Sequence, residues 1–175
     1  MIAKHGGPRL VELLTAAGLL ASGEAGIIAR LPGQIAESLV RLGPLPLTVV
    51  HGDLRLDNLL FDHDGNVVVI DWQGLGSAPP SWDLAYFLTQ SLDAETRRSH
   101  QDALLDRYVD AMRTHDISAT RDELLGGYGD SLWFGLVVAC SIGLVGDPTD
   151  PRTKLLATTM GRRALDALAD GGLTG

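Results

Sequence analysis

The stretch from His51 to Asp71, HGDLRLDNLLFDHDGNVVVID, constrains this chain more than any other. A short apolar run, Leu47-Thr48-Val49-Val50, leads into His51-Gly52-Asp53. Asn58 follows Asp53 by five positions, and a second apolar run, Leu59-Leu60-Phe61, comes directly after it. Asp62-His63-Asp64-Gly65 then signals a tight turn, because aspartate tolerates turn geometry and glycine supplies positive φ. Asn66 to Ile70 is β-branched and continuous, the pattern of a buried strand, and it ends at Asp71. Two strands joined by a tight turn bring Asn58, before the first, close to Asp71, after the second. Asp53 lies on the loop that enters the hairpin. Three oxygen-bearing side chains are thereby gathered at one end of one hairpin.

The rest of the chain sets the bounds. At 175 residues it is about one domain, large enough to bury a core. A net charge of −8 argues against nucleic acid or an anionic membrane as partner. Cys140 is the only cysteine, which excludes an intramolecular disulfide and a Cys-rich zinc site; in its apolar segment it reads as a core filler. The opening residues, MIAKHGGPRL, lack the apolar core of a signal peptide, so a cytoplasmic protein is expected. Ser131 to Gly146 carries no charge over sixteen residues. That is short of the roughly 20 residues a membrane span needs, so a buried core helix is expected.

Helical spacing and punctuation predict the flanking elements. Pro8 to Ala17 reads as a helix stopped by Gly18. Ser22 to Leu42 reads as two helical pieces broken at Pro32-Gly33, with Ile35, Leu39 and Leu42 on one face. Trp72 to Pro80 is a Gly/Pro loop. Ser81 is expected to cap a helix from Trp82 to Leu92, with Asp83 in its first turn. Asp93 caps a longer helix to about His115, with Leu104, Leu105, Tyr108, Val109 and Met112 as its apolar stripe. Thr120 and Glu123 form a capping box for the uncharged segment, whose first turns are weakened by Gly126, Gly127 and Gly129. Asp150-Pro151 opens a last helix that stops at Gly171-Gly172.

The spacing of Asp53, Asn58 and Asp71 suits phosphoryl transfer from a nucleotide. One carboxylate orients a hydroxyl and accepts its proton, while an amide and a second carboxylate hold Mg²⁺, which takes few protein oxygens. The stretch resembles the catalytic core of the aminoglycoside phosphotransferase/choline kinase superfamily. HGD stands where protein kinases carry HRD, and Asp71-Trp72 stands where they carry the Asp and Phe of DFG. Pro80-Ser81-Trp82-Asp83-Leu84-Ala85-Tyr86-Phe87-Leu88 is similar too, closest to the ecdysteroid kinase-like and related bacterial branches. The resemblance spans His51 to Leu88.

The expected fold is α+β, mainly α: a protein kinase-like C-terminal lobe with a small β-hairpin at the catalytic loop, the N-terminal lobe being absent. The resemblance implies a single domain, 1–175, divided into a helical lead-in (1–44), the catalytic segment (45–92) and a helical substrate-side part (93–175). ATP is then the co-substrate and a small hydroxylated metabolite or drug the acceptor. Asp53 is the base, Asn58 and Asp71 carry Mg²⁺, His51 packs beneath the loop, and Asp83 braces the loop or caps its helix. Arg55 meets a phosphate or an acidic substrate group, or is simply solvated. Plain readings stand beside these: Asp53 capping a turn, Asn58 hydrogen-bonding within one, and Asp71 ending a strand in water. His63 and Asp64 read as solvent-facing turn residues. Trp72 is expected to pack as the DFG Phe does, and Trp82, Tyr86 and Phe87 to fill core.

The superfamily pattern also implies a nucleotide cradle with a strand lysine. Only 50 residues precede His51, and they read as helices; Lys4 and Lys154 lie outside any strand pattern, and no G-x-G-x-x-G occurs. The expectation is a lobe that is inactive or nearly so by itself. It leaves an apolar face by the hairpin, open to an N-lobe partner or to self-association. Two other readings remain: a non-catalytic kinase-fold binding module, and a metal-dependent hydrolase using His51, Asp53 and Asp71 on Zn²⁺ or Mn²⁺.

Overall fold

The computed structural model describes residues 2–115, 120–147 and 149–174. Helices α1 (Ile2–Ala16) and α2 (Glu24–Leu42) are followed by strands β1 (Thr48–Val50), β2 (Leu59–Phe61), β3 (Val67–Val69) and β4 (Gly76–Ala78). Helices α3 (Ser81–Ser91), α4 (Ala94–Thr114), α5 (Arg121–Leu125), α6 (Tyr128–Val145) and α7 (Pro151–Asp170) complete the chain. The class is mainly α with small antiparallel ladders, as expected. The chain forms two compact units, Met1–Val40 with Leu132–Gly175, and Arg41–Ser131.

The first unit is helical. Leu10, Leu14, Leu31, Leu136, Leu165 and Leu168 are each at most 1% exposed and form its core. Both proline expectations are corrected here. α1 starts at Ile2 and runs through Pro8, and α2 is one helix that runs through Pro32. An internal proline costs about 3 kcal/mol. Burying one Leu or Ile returns about 1.5–3 kcal/mol, and Ile27, Ile28 and Leu31 are all buried just before Pro32. The expected face of α2 is also corrected: Leu39 is 52% exposed, and Ser38 takes the buried place between Leu31 and Leu42. Gly161 packs on Leu10, where an added Cβ would lie 3.0 Å from the leucine's Cδ1. Asp150 caps α7 through Arg152 and Thr153 amides, with Pro151 at the first position, and the helix ends at Gly171. Residues 121–145 are long and apolar enough to cross a membrane by length and composition alone. Leu132, Trp133, Leu136, Ala139 and Cys140 are nevertheless at most 4% exposed within the protein. Burial pushes the Cys140 thiol up to about 12.

The second unit carries all four strands. β1 pairs with β4 in the register Thr48↔Ala78, Val50↔Gly76. β2 pairs with β3 in the register Leu59↔Val69, Phe61↔Val67. Asp62 makes the hairpin turn: its carboxylate accepts from the Asp64 and Asn66 amides and from the Asn66 side chain, with Gly65 at φ 82°. The expectation of a buried β3 fails, since Val67 and Val68 are 49% and 54% exposed. A continuous β-branched run is what a strand covered on both faces would show, but this ladder has only two strands. Ser81 does not cap α3; Pro80 holds that position, and the Ser81 hydroxyl donates to the Gly126 carbonyl at 2.8 Å. The capping box of Thr120 and Glu123 forms, but it opens the short α5. α6 begins afresh after Gly127, whose φ of 76° ends the preceding turn. α4 starts on Asp93, whose side chain accepts from the Thr96 amide, and buries Leu105 and Val109.

Candidate active site

Two short ladders and one helix hold the site. β1 delivers His51-Gly52-Asp53, and β4 returns alongside it, so the loop after Asp71 lies against the loop after Val50. The approach is close. Gly52 sits at φ 80°, and any side chain there would run into the Gly74 carbonyl; a Cβ on Gly74 would lie 2.9 Å from the His51 carbonyl. Both positions therefore require glycine.

Along α3, Asp83, Tyr86 and Ser91 grip successive points of this loop. Asp83 accepts from the amides of His51 (2.6 Å) and Gly52 (3.0 Å). Its carboxylate sits in the first turn of its helix, yet its hydrogen bonds go to the loop at His51 and Gly52. Tyr86, one turn later on the same face, donates its hydroxyl to Asp53 Oδ1 at 2.8 Å. Ser91 Oγ accepts from the Leu56 amide at 3.1 Å. Burial, and then the hydrogen bond to Asp53, push the Tyr86 phenol well above its usual value, so it stays a donor. Burial, then the charge of Asp83, raises Tyr108 as well.

Asn58 lies in a 3-10 turn, Leu56–Asn58, and is 5% exposed. Its side-chain nitrogen donates to the Asp53 carbonyl (2.8 Å) and to Asp53 Oδ2 (3.1 Å). Both partners are acceptors, so the nitrogen must face them and the carbonyl oxygen is left over. The Ile70 amide donates to the Asn58 backbone carbonyl at 3.0 Å, which brings Asp71 to the same end of the hairpin. Asp71 is the one non-glycine residue at positive φ among the described residues (φ 64°, ψ 55°). That left-handed conformation is tolerated by aspartate better than by most residues. Among the described residues the Asp71 carboxylate has no hydrogen-bond or ion-pair partner. The oxygens left over are thus a neutral amide oxygen and a free carboxylate, hard donors of the kind Mg²⁺ prefers.

His51 is 3% exposed and spends both ring nitrogens on backbone. Nδ1 accepts from the Asp53 amide at 3.3 Å, so Nε2 carries the proton and donates to the Ile70 carbonyl at 2.9 Å. No ring nitrogen remains for a metal, which removes the histidine ligand that a hydrolase reading needs. Among the described residues no group of three or more His, Cys, Asp or Glu side chains is placed to hold a metal. Trp72 is 50% exposed; its ring packs against that of His51, with centroids 4.7 Å apart, and its Nε1 donates to the Val69 carbonyl. Arg55 lies between two carboxylates, its Nε 3.6 Å from Asp53 Oδ1 and its Nη1 3.5 Å from Asp57 Oδ2. That Nε is buried and makes no hydrogen bond. Ser91 and Gly74 were not singled out by sequence reasoning, and Tyr86 was expected only to fill core; it is buried, but its hydroxyl reaches Asp53. Only Tyr86 carried a signal there, standing three residues after Asp83 on one helical face.

A family model described as the phosphotransferase enzyme family matches residues 5–122. An uncharacterized kinase-like protein of Caenorhabditis elegans is 29% identical over 73 residues, covering 41% of this chain and 19% of that protein. A solved choline/ethanolamine kinase family protein from Mesorhizobium loti is 17% identical, with a TM-score of 0.49, over 95% of this chain and 55% of that one. The chain thus spans about a fifth of the length of that curated relative and just over half of that solved chain.

Proposed function

The chain belongs to the phosphotransferase enzyme family, and from that premise we propose that it is the phosphoryl-transfer lobe of a small-molecule kinase. Asp53 orients the acceptor hydroxyl and takes its proton as that oxygen bonds to the γ-phosphorus of ATP. The bond from that phosphorus to the β–γ bridging oxygen breaks, and ADP leaves. Asn58 and Asp71 would hold Mg²⁺, which when bound neutralises charge on the phosphates. Arg55, with an unspent buried Nε, would meet a phosphate or an acidic group of the acceptor. The observation that carries this reading is how the oxygens are committed. Two neutral donors fix the Asp53 carboxylate, while the Asn58 side-chain oxygen Oδ1 and the Asp71 carboxylate are left over at the same hairpin end.

The apolar strands of the hairpin are assigned in this proposal to a nucleotide-binding lobe, carried on the same polypeptide or on another. Leu60, Phe61, Val68 and Leu75 are each more than half exposed, next to the site that a nucleotide must reach. Several large apolar side chains left exposed on and beside one short hairpin mark an interaction site.

The test is ADP release from MgATP by this chain together with that lobe. The acceptor panel contains aminoglycosides, choline-like amines, steroid alcohols and sugars. Asp53→Asn is expected to lower kcat by about 10²–10⁴-fold. Asn58→Ala and Asp71→Ala should raise the Mg²⁺ concentration needed for half-maximal rate. Parental turnover in Asp53→Asn refutes the reading. Without the lobe, turnover should be at background; robust transfer by the chain alone contradicts the need for it.

A further inference from the structure

We propose that Tyr86 is the positioning residue of Asp53, its buried hydroxyl fixing the plane of the carboxylate that receives the acceptor's proton. The inference rests on the kinase reading above and adds to it a role for a residue that the sequence reading placed only in the core.

The argument is one of counting acceptor sites. An ionised carboxylate offers about four lone-pair sites, two on each oxygen. Tyr86 takes one on Oδ1 at 2.8 Å, and Asn58 takes one on Oδ2 at 3.1 Å. With one donor on each oxygen the group cannot rotate about Cβ–Cγ, and one site on each oxygen remains for a substrate hydroxyl. The two restraints differ in stiffness. Asn58 sits in the loop that it restrains, five residues from Asp53. Tyr86 is 5% exposed and rises from α3, the helix whose Asp83 holds the same loop by two backbone amides. Its ring has two rotatable bonds, both packed, so its hydroxyl is a fixed point against which the carboxylate is set. Both donors are neutral, so they orient Asp53 without neutralising it. Arg55, the nearest cation, is at 3.6 Å and outside hydrogen-bond geometry. If the Asn58 side chain shifts to hold a cation, Tyr86 is the restraint that stays.

The test is Tyr86→Phe, which removes one oxygen and keeps the ring. The first readout needs no turnover. In ¹H–¹⁵N spectra the Asn58 side-chain amide, whose nitrogen bonds Asp53 twice, should be protected from solvent exchange in the parent. Tyr86→Phe should reduce that protection about tenfold or more. The Asn66 side-chain amide, which makes a like bond to Asp62 at 2.8 Å, should not move and reports that the fold is intact. The second readout is steady-state kinetics with the nucleotide-binding lobe present. kcat should fall by about 10–100-fold, with KM for ATP and acceptor within about twofold of the parent, as expected of a misplaced base. An Asn58 amide with parental protection overturns the proposal. So does an unchanged kcat in Tyr86→Phe where Asp53→Asn abolishes turnover. Failure of the kinase reading has its own mark, parental turnover in Asp53→Asn.

Discussion

The two halves of one hairpin have opposite chemistry. At its base polar groups are inside: His51 is 3% and Asn58 5% exposed, and the His51 ring nitrogens and the Asn58 side-chain nitrogen are paired to backbone or carboxylate. Along its strands the apolar groups are outside: Phe61 is 62%, Val68 54% and Leu60 52% exposed. An ordinary hairpin does the reverse. Burying polar groups is tolerated only where each is hydrogen-bonded, so the base is a specified network in which loss of one member exposes another to desolvation. The strands carry no such network, and their exposure costs nothing to fold but leaves surface for a partner. The base is built for geometry, and in the proposed reading the strands are what the nucleotide-binding lobe covers.

The comparison can be broken at the base first. Gly52→Ala should cost about 3 kcal/mol or more, from positive φ and the collision with the Gly74 carbonyl, measured by urea unfolding. A cost under about 1 kcal/mol would show that the two loops are not locked together. Asp83→Ala should come next, at about 2–3 kcal/mol, because it strands the amides of His51 and Gly52. Asp83→Asn keeps one acceptor and should cost less; equal losses would place the effect in the charge instead.

A buried polar contact of the other unit calibrates the scale. Arg162 holds Glu24 by two hydrogen bonds, at 2.6 and 2.8 Å, and keeps its carboxyl below the ordinary value of 4.5. Glu24→Gln should cost about 1–2 kcal/mol near pH 7. A depressed folded value stabilises above the unfolded value and loses that contribution as pH falls through the folded one. The gap between parent and variant should therefore close in acid; a gap that widens below pH 4.5 would reverse the sign. The smallest effect is expected on the strands. Phe61→Ser with Val68→Thr should change stability by about 0.5 kcal/mol or less. The same pair should abolish any self-association of the isolated chain seen by sedimentation. A large stability loss there would mean that the strands belong to the core after all.

Much of the base was legible in the sequence. The turn at Asp62-Gly65, the strands around it and the meeting of Asn58 with the strand end before Asp71 all follow from residues a few positions apart, where local preferences act directly. The caps at Asp93, Thr120 and Asp150 were legible for the same reason. Pro32 misled because burial of Ile28 and Leu31 outweighs a lost helical hydrogen bond, and burial is not a local property. Ser81 misled because a hydroxyl suited to a helix start was taken by the Gly126 carbonyl, 45 positions away.

By itself the sequence determined which residues share the loop, the turn and the strand ends, and hence which chemistry is brought together. Only the tertiary structure decided where each hydrogen bond goes. Asp83 serves the His51 amide across 32 positions, and Tyr86 serves Asp53 across 33. It also decided that a strand with a buried pattern stands exposed. The reason is physical: φ/ψ preference and hydrophobic period act over a few residues, whereas acceptor sites and covered surface are shared out among groups that meet only once the helices have packed.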